Sequence, residues 1–276
     1  MQKQAGIFTM FTSVMAAVGL FIRWLQNNNI YEETTGLPVK SAISTVFVIF
    51  CLIYVAVLLI FTLRLGDAWA EENFRAAFRG RNILFPVMSA ALGIAMSVAS
   101  AALLFSKPEG LTIALQSVLG LGGLVCGICF PLIAMGPKKD SSGTFACVYT
   151  FIPVIFFSIW LIIAFKEHAQ DPILWHYAIE VLAIASATLG FYYGAGYAFD
   201  RPRLKQTVFF TNLGAFFCIA ALGDTRVLPR QIIIAAPGIV LLLMSNVFIS
   251  NMKDKKPRQV YDEQEVSEES AADEGM

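Results

Sequence analysis

The chain has 276 residues, of which 57% are hydrophobic and 14% are charged. A soluble domain carries about 25% charged residues, so this composition indicates a protein that is surrounded mainly by lipid. The formal net charge is zero. This balance does not indicate a nucleic-acid-binding surface, and no nucleic-acid partner is expected.

Eight apolar segments approach the length of about 20 helical residues that crosses the hydrocarbon core of a bilayer. We therefore predict an all-α fold in which one transmembrane domain, residues 1–252, contains eight helices. The first segment is predicted to be a retained helix, because it is too long for a signal peptide and lacks a clear cleavage site. The predicted spans are 5–25, 42–63, 83–105, 111–135, 144–165, 174–199, 207–222 and 231–250.

The lysines and arginines are distributed unevenly between the two sides of this bundle. If the N-terminus is cytoplasmic, 14 of the 20 lie on cytoplasmic segments, in agreement with the positive-inside rule. We therefore predict a multi-pass protein of the cell membrane with both termini in the cytoplasm. Residues 253–276 form a basic and then acidic tail with few apolar residues, which predicts disorder. Such a tail is available to a cytoplasmic protein partner.

Spans 1–4 and spans 5–8 share a weak pattern that predicts a parallel 4+4 internal repeat. The last helix of each half carries residues that can interrupt a helix, namely Gly120, Gly122 and Gly123 in span 4 and Pro237 with Gly238 in span 8. Interrupted helices at matching positions can mark a transport site. The alternative is that glycine and proline are simply frequent in membrane helices.

Span 6 contains Glu180, the only one of the 20 acidic residues that lies inside a predicted span. At 100° per residue it shares a helix face with small residues, so this face is expected to pack against other helices. The face comprises His176, Glu180, Ala183, Ala187, Gly190, Gly194 and Ala198. A charged group at the centre of a membrane helix costs about 2.5–3.5 kcal/mol, which makes Glu180 a candidate functional residue with a specific partner.

Three side chains at a similar predicted depth are candidate partners of Glu180: Arg23, Gln116 and His176. His176 precedes Glu180 by four residues, so the two side chains are placed to hold a cation together. A simple position at the membrane interface is the competing interpretation for this histidine. Glu180 itself is either functional or a neutral group that hydrogen-bonds to a neighbouring helix.

Aromatic residues mark two predicted inner segments. The loop 64–81 is either a short helix at the headgroups, anchored by Trp69, Phe74 and Phe78, or an extension of span 2. Near the inner end of span 6, the tyrosines of segment 190–199 either line a vestibule or pack with their hydroxyl groups at the headgroups.

Most enzyme classes are disfavoured by the motifs that the chain lacks. The two histidines, His168 and His176, are too shallow to ligate a transmembrane haem, and no H-E-x-x-H zinc motif occurs. No predicted span contains a lysine for a retinal Schiff base, and no nucleotide-binding or hydrolase motif is present. Cys126 and Cys129 form a C-x-x-C inside an apolar helix, where a structural role is favoured. No metal or cofactor is expected.

The leading functional hypothesis is a carrier of a small solute or ion, or a membrane subunit of one. Its site is predicted between spans 1, 4, 6 and 8, with Glu180 as the titratable or cation-binding group. Spans 3, 4 and 6 are rich in small residues and are predicted to be central. The candidate binding residues are Glu180, His176, Gln116, Arg23, Gly122 and Pro237.

The competing hypothesis is a non-transporting membrane sensor, scaffold or accessory subunit that acts through its cytoplasmic loops and tail. The two hypotheses differ in what they predict at Glu180. A carrier requires a polar cavity that reaches this residue from one side of the membrane, whereas a scaffold is expected to be packed solidly there.

Overall fold

The computed structural model describes residues 2–29, 42–65, 70, 74–79, 83–106, 112–136, 143–168 and 177–252. The helices within these ranges are α1 (Gln2–Asn29), α2 (Ala42–Arg64), α3 (Phe74–Phe78), α4 (Leu84–Phe105), α5 (Ile113–Met135), α6 (Gly143–Glu167), α7 (Ala178–Ala195), α8 (Leu204–Ala220) and α9 (Leu228–Asn251). A 3₁₀ turn, Ala221–Gly223, follows α8, and no strand occurs among the described residues. All the helices except α3 are long and apolar enough to cross a membrane. The predicted all-α fold with eight spans is confirmed.

The bundle has two ends, which we name by the chain termini. The terminal end is where α1 begins and α9 ends, and the distal end is where α1 ends and α9 begins. The terminal end is predicted to be cytoplasmic from the lysine and arginine distribution. This orientation stays a prediction, as does the parallel 4+4 repeat, and the tail, 253–276, lies outside the described residues.

The centre of the bundle differs from the prediction. α8 is the most buried span, with 67% of its most apolar stretch inside the bundle, whereas the corresponding share for α4 is 33%. Small residues do let α4 approach α5 closely, since a Cβ atom on Gly93 would overlap the carbonyl oxygen of Gly127. This contact covers one face of α4, and Ile94 and Val98 on another face are exposed. Close approach to one neighbour therefore does not make a helix central.

The predicted packing face is confirmed within α7, whereas its last member, Ala198, is half-buried and lies beyond the end of this helix. Glu180, Ala183, Ala187, Gly190 and Gly194 are all buried. A Cβ atom on Gly190 would lie 3.0 Å from the carbonyl oxygen of Phe210, so glycine lets α7 lie directly on α8.

The predicted helix interruptions are wrong, because α5 and α9 are continuous through their glycine and proline positions. In α5 the glycines provide room for neighbours instead. A Cβ atom on Gly122 would lie 2.8 Å from the Phe156 ring of α6. In α9, Pro237 is buried inside the helix.

The expected headgroup anchors of loop 64–81 are wrong for the two phenylalanines that the structure describes. Phe74 and Phe78 are buried, and the Phe78 ring packs 5.6 Å from Tyr197 and 5.2 Å from Phe248. The Nδ2 atom of Asn251 donates hydrogen bonds to the carbonyl oxygens of Ala77 and Arg79, each at 3.0 Å. α3 therefore closes the terminal end of the bundle, and Trp69 lies outside the described residues.

Candidate functional site

The turn between α8 and α9 is held against α1 by a glycine. A Cβ atom on Gly223 would lie 2.9 Å from both the carbonyl oxygen of Leu20 and the backbone nitrogen of Trp24. A larger residue would separate the turn from α1, so glycine is required for this approach. The close approach brings the next residue, Asp224, to the buried side chain of Arg23.

Arg23 and Asp224 form a buried ion pair between α1 and the turn. The exposed fraction of Arg23 is 1%, and its Nε atom donates to Oδ1 of Asp224 at 2.5 Å. Its Nη1 atom donates to Oε1 of Gln26 at 3.0 Å. The Nδ2 atom of Asn27 also donates to Oδ1 of Asp224, at 3.0 Å. Each charge is thus compensated, which a buried ion pair requires in order not to destabilise the fold.

Arg226 joins this pair to the carboxyl group of α7. Its Nη2 atom donates to Oδ2 of Asp224 at 2.7 Å, and its Nε atom donates to Oε2 of Glu180 at 3.1 Å. The remaining Nη1 atom donates to the carbonyl oxygen of Ala221 at 2.8 Å. The Glu180 side chain, 3% exposed, therefore has a guanidinium partner that comes from a loop and not from a span.

A second ion pair lies beside the first at the distal end. Arg230, in the first turn of α9, binds both carboxylate oxygens of Glu167 at the end of α6. His168, which follows Glu167 in the sequence, stacks on Tyr177 with ring centroids 4.7 Å apart. Its Nε2 atom lies 3.9 Å from Oε2 of Glu180. We name the whole set the distal charge cluster: Arg23, Glu167, His168, Glu180, Asp224, Arg226 and Arg230.

A pocket of about 400 Å³ opens into this cluster. Its lining residues are Arg23, Asn27, His168, Glu180, Asp224, Thr225, Arg226 and Arg230. Among the residues that line this pocket, Glu180 and His168 each have a buried atom, Oε1 and Nε2, without a hydrogen-bond partner among the described residues. A buried carboxylate oxygen without a donor is costly, and Oε1 of Glu180 is such an atom in a residue that lines the pocket.

The structure brings together some of the predicted site residues. Arg23 and Glu180 both lie in the distal charge cluster, but each has its own partner, Asp224 for Arg23 and Arg226 for Glu180. His176 lies outside the described residues.

The other predicted residues lie elsewhere. The Nε2 atom of Gln116 donates to the carbonyl oxygens of Leu103 at 2.6 Å and Ser106 at 2.9 Å, which closes the α4–α5 hairpin. Gly122 packs against α6, and Pro237 lies within α9. Of the four spans expected at the site, spans 1, 6 and 8 contribute Arg23, Glu180 and Arg230. The end of α6 occupies the place expected for span 4.

Sequence reasoning missed most of the cluster because it considered charges inside the spans. Glu167, Asp224, Arg226 and Arg230 lie at span ends or in a loop, where charged residues are ordinary. One signal was available: all four flank predicted spans on the same side of the membrane as Arg23. Carboxylates and arginines of matched number at one end of a bundle favour a network of ion pairs.

Within the described ranges, no three His, Cys, Asp or Glu side chains are grouped closely enough to hold a metal ion. Comparison with known proteins gives no match, either with a protein-family model or with a curated sequence or a solved structure. The distal charge cluster and its pocket are therefore the features that point to a function.

Proposed function

We propose that this protein is a membrane carrier for a small solute or ion, and that the distal pocket is where the solute first binds. The observation that carries the proposal is the pocket of about 400 Å³ that is lined by Glu180, a residue whose Oε1 atom has no hydrogen-bond partner among the described residues. Small-molecule sites typically occupy 300–1,000 Å³. A scaffold is expected to be packed solidly at this residue, so the pocket favours a binding function.

The chemistry of the pocket favours a solute with a positive or strongly donating group. Oε1 of Glu180 is an acceptor, and an ammonium group supplies up to three donors for it. Charge-assisted hydrogen bonds of this kind are roughly twice as strong as neutral ones. Because Arg226 and Arg230 also line the pocket, a zwitterion with its own carboxylate complements both signs of charge. The proposed solute is therefore a small cation or zwitterion.

The bundle beneath the pocket is closed. Ala183 and Ala187 of α7 are fully buried, and so are Ala215 and Cys218 of α8. The Sγ atom of Cys218 lies 3.8 Å from the carbonyl oxygen of Ala183, which leaves no space between the two helices. Carriers expose a site to alternate sides by moving groups of helices against each other. Under this proposal, the described conformation is open at the distal end, and release requires α7 and α8 to separate below Glu180.

Uptake by the reconstituted full-length protein tests the proposal. Proteoliposomes would be assayed with labelled sodium, rubidium, choline and glycine, which sample small cations and a zwitterion. We expect uptake of at least one of them, and Glu180→Gln should reduce it by tenfold or more because the amide cannot replace the carboxylate charge. Asp200→Asn is the matched control, since it also replaces a carboxylate by an amide but lies at the terminal end. The φ angle of Asp200 is 54°, which asparagine adopts readily.

Two results would contradict the carrier function: no uptake of the four solutes above protein-free liposomes, or equal uptake by the wild type and Glu180→Gln.

The closed packing beneath the pocket favours a second candidate, a sensor that binds a solute without moving it. The sensor would be supported by a solute that is not taken up and that raises the melting temperature of the wild type but not of Glu180→Gln. The absence of both binding and uptake would favour a scaffold that acts through its loops and residues 253–276.

A further inference from the structure

We propose that a groove at the terminal end, between α6 and the α7–α8 connection, binds an anionic phospholipid. The phosphate of the headgroup lies at Arg201 and Arg203, and an acyl chain follows the aromatic wall formed by Phe151, Tyr192 and Phe199. This site lies at the opposite end of the bundle from the distal charge cluster and is independent of the proposed carrier function.

The groove is large, and four of its nine lining residues are aromatic. Its volume is about 790 Å³, and it is lined by Phe151, Tyr192, Tyr193, Ala195, Gly196, Phe199, Arg201, Pro202 and Arg203. The exposed fractions of Tyr192 and Phe199 are 52% and 47%. The Phe151 ring of α6 meets the Phe199 ring edge to face at 5.9 Å. Large aromatic rings exposed at the end of a membrane span are suited to the region where headgroups and acyl chains meet.

The backbone that carries the two arginines is held in place before any ligand binds. The backbone nitrogen of Arg201 donates to the carbonyl oxygen of Gly196 at 2.8 Å. The Sγ atom of Cys147 donates to the carbonyl oxygen of Ala198 at 2.9 Å, which ties the turn to α6. A Cβ atom on Gly196 would lie 2.9 Å from the carbonyl oxygen of Arg201, so glycine permits this tight turn. A pre-formed turn avoids the entropic cost of ordering a loop on binding.

The groove also has unused positive charge. Arg201 and Arg203 are exposed, and within the described part of the chain neither forms an ion pair. A guanidinium group binds the oxygens of a phosphate through two parallel hydrogen bonds. Basic pockets between membrane helices are suited to anionic headgroups. Free phosphate would use the arginines but none of the aromatic wall, so the combination favours a lipid.

Binding of defined lipids to the purified full-length protein tests this site. Native mass spectrometry would compare dioleoyl phosphatidylglycerol, which is anionic, with dioleoyl phosphatidylcholine, which has no net charge. We expect preferential binding of phosphatidylglycerol, and the double variant Arg201→Gln/Arg203→Gln should bind it roughly 10- to 30-fold more weakly. Lys205→Gln is the matched control, because Lys205 is exposed on the same segment but does not line the groove. Its affinity should stay within twofold of the wild type.

Three results would overturn the proposal. Equal binding of the two lipids would exclude recognition of the anionic headgroup. An equal loss in Lys205→Gln would indicate a general basic surface, and competition by millimolar inorganic phosphate would indicate a site for free anions. If the double variant is not recovered folded, Tyr192→Ala decides, since it keeps both arginines and removes part of the aromatic wall. It should weaken phosphatidylglycerol binding at least threefold, and unchanged binding would reject the groove.

Discussion

Two buried polar regions hold this bundle together, and they are built differently. The distal charge cluster consists of ion pairs beside a pocket, with one carboxylate oxygen of Glu180 unpartnered among the described residues. The second region, which we name the Asn212 cluster, contains Thr12, Tyr54, Asn212 and Ser245. All four of these residues are fully buried and uncharged.

The Asn212 amide has partners at both ends. Its Nδ2 atom donates to Oγ of Ser245 at 2.6 Å and to the carbonyl oxygen of Val208 at 2.8 Å. Its Oδ1 atom accepts from Oγ1 of Thr12 at 3.2 Å. The Tyr54 hydroxyl donates to the backbone carbonyl oxygen of Asn212 at 3.3 Å. Four helices are thereby joined, and the amide nitrogen and oxygen both have partners inside the protein.

The comparison shows that burial of polar groups does not by itself identify a binding site. What distinguishes the distal charge cluster is an acceptor without a donor next to a pocket. The energetics also differ, because hydrogen bonds between membrane helices contribute about 0.6 kcal/mol on average. Removing one member of a buried ion pair costs about 3–5 kcal/mol when the other charge is left buried without an opposite charge. Substitutions in the two regions should therefore have effects of different size and kind.

The largest effect is expected from Arg226→Met. Methionine keeps much of the side-chain volume but leaves Glu180 without its guanidinium partner, so the free energy of unfolding should fall by about 3–5 kcal/mol. Asp224 keeps Arg23 and Asn27 as donors. Thermal unfolding in detergent measures the loss, and adding Glu180→Gln should restore a large part of it. If the free energy of unfolding falls by no more than a single neutral hydrogen bond contributes, the Glu180 carboxylate is solvated by water in the variant.

The next effect tests the geometry of the cluster without changing a charge. Gly223→Ala should destabilise the protein by about 1–3 kcal/mol, because the new methyl group meets backbone atoms of α1 at 2.9 Å. It should also weaken any solute response, since the turn positions Asp224 and Arg226. Gly6→Ala is the control, because a Cβ atom there has no neighbour within 4 Å and alanine favours a helix. Equal melting temperatures for the two variants would contradict a close contact at Gly223.

The comparison also explains which features the sequence could predict. The eight spans and the packing face of α7 follow from length and helical period alone, and both agree with the structure. The central position of α8 was missed because richness in small residues was used to predict which spans are central. α8 has lower mean hydropathy than α2, yet 67% of its most apolar stretch is buried against 22% for α2. A span that faces protein can bury an amide such as Asn212 with hydrogen-bond partners, whereas the same amide would be costly in a span that faces lipid.

The pairing inside the distal charge cluster could not be predicted in the same way. Glu180 and Arg226 are separated by 46 positions, and helical period does not determine which loop lies against which span. Arg23 was a reasonable candidate for Glu180 by depth. The structure pairs it with Asp224 because Gly223 lets the α8–α9 turn lie on α1. The pairing therefore depends on one backbone contact in the tertiary fold.

A moderate effect is expected in the neutral region. Asn212→Ala removes hydrogen bonds to Thr12 and Ser245, and the free energy of unfolding should fall by about 1–2 kcal/mol. Asn246→Ala is the matched control, since Asn246 is only partly buried and its Nδ2 atom donates to Oγ1 of Thr9 at 3.0 Å. The control should lose less stability. Any solute response should survive Asn212→Ala, and its loss would mean that the binding site extends into the Asn212 cluster.

The smallest effect on stability, about 1 kcal/mol, is expected from Glu180→Gln. The amide oxygen still accepts a hydrogen bond from Arg226, which also keeps Asp224 and the carbonyl oxygen of Ala221 as partners. The difference is therefore that between a charged and a neutral hydrogen bond. The effect on binding should be much larger, because the residue that lines the pocket loses its carboxylate charge.

Melting temperatures of the wild type and Glu180→Gln, each measured with and without choline and glycine, separate these two effects. The variant should melt within a few degrees of the wild type but lose its shift with solute. A large fall in stability would mean that Glu180 is mainly a structural partner of Arg226, as Asn212 is for Ser245. A retained shift would mean that the solute binds elsewhere. Either outcome would remove the distinction between the two polar regions on which the proposed binding site depends.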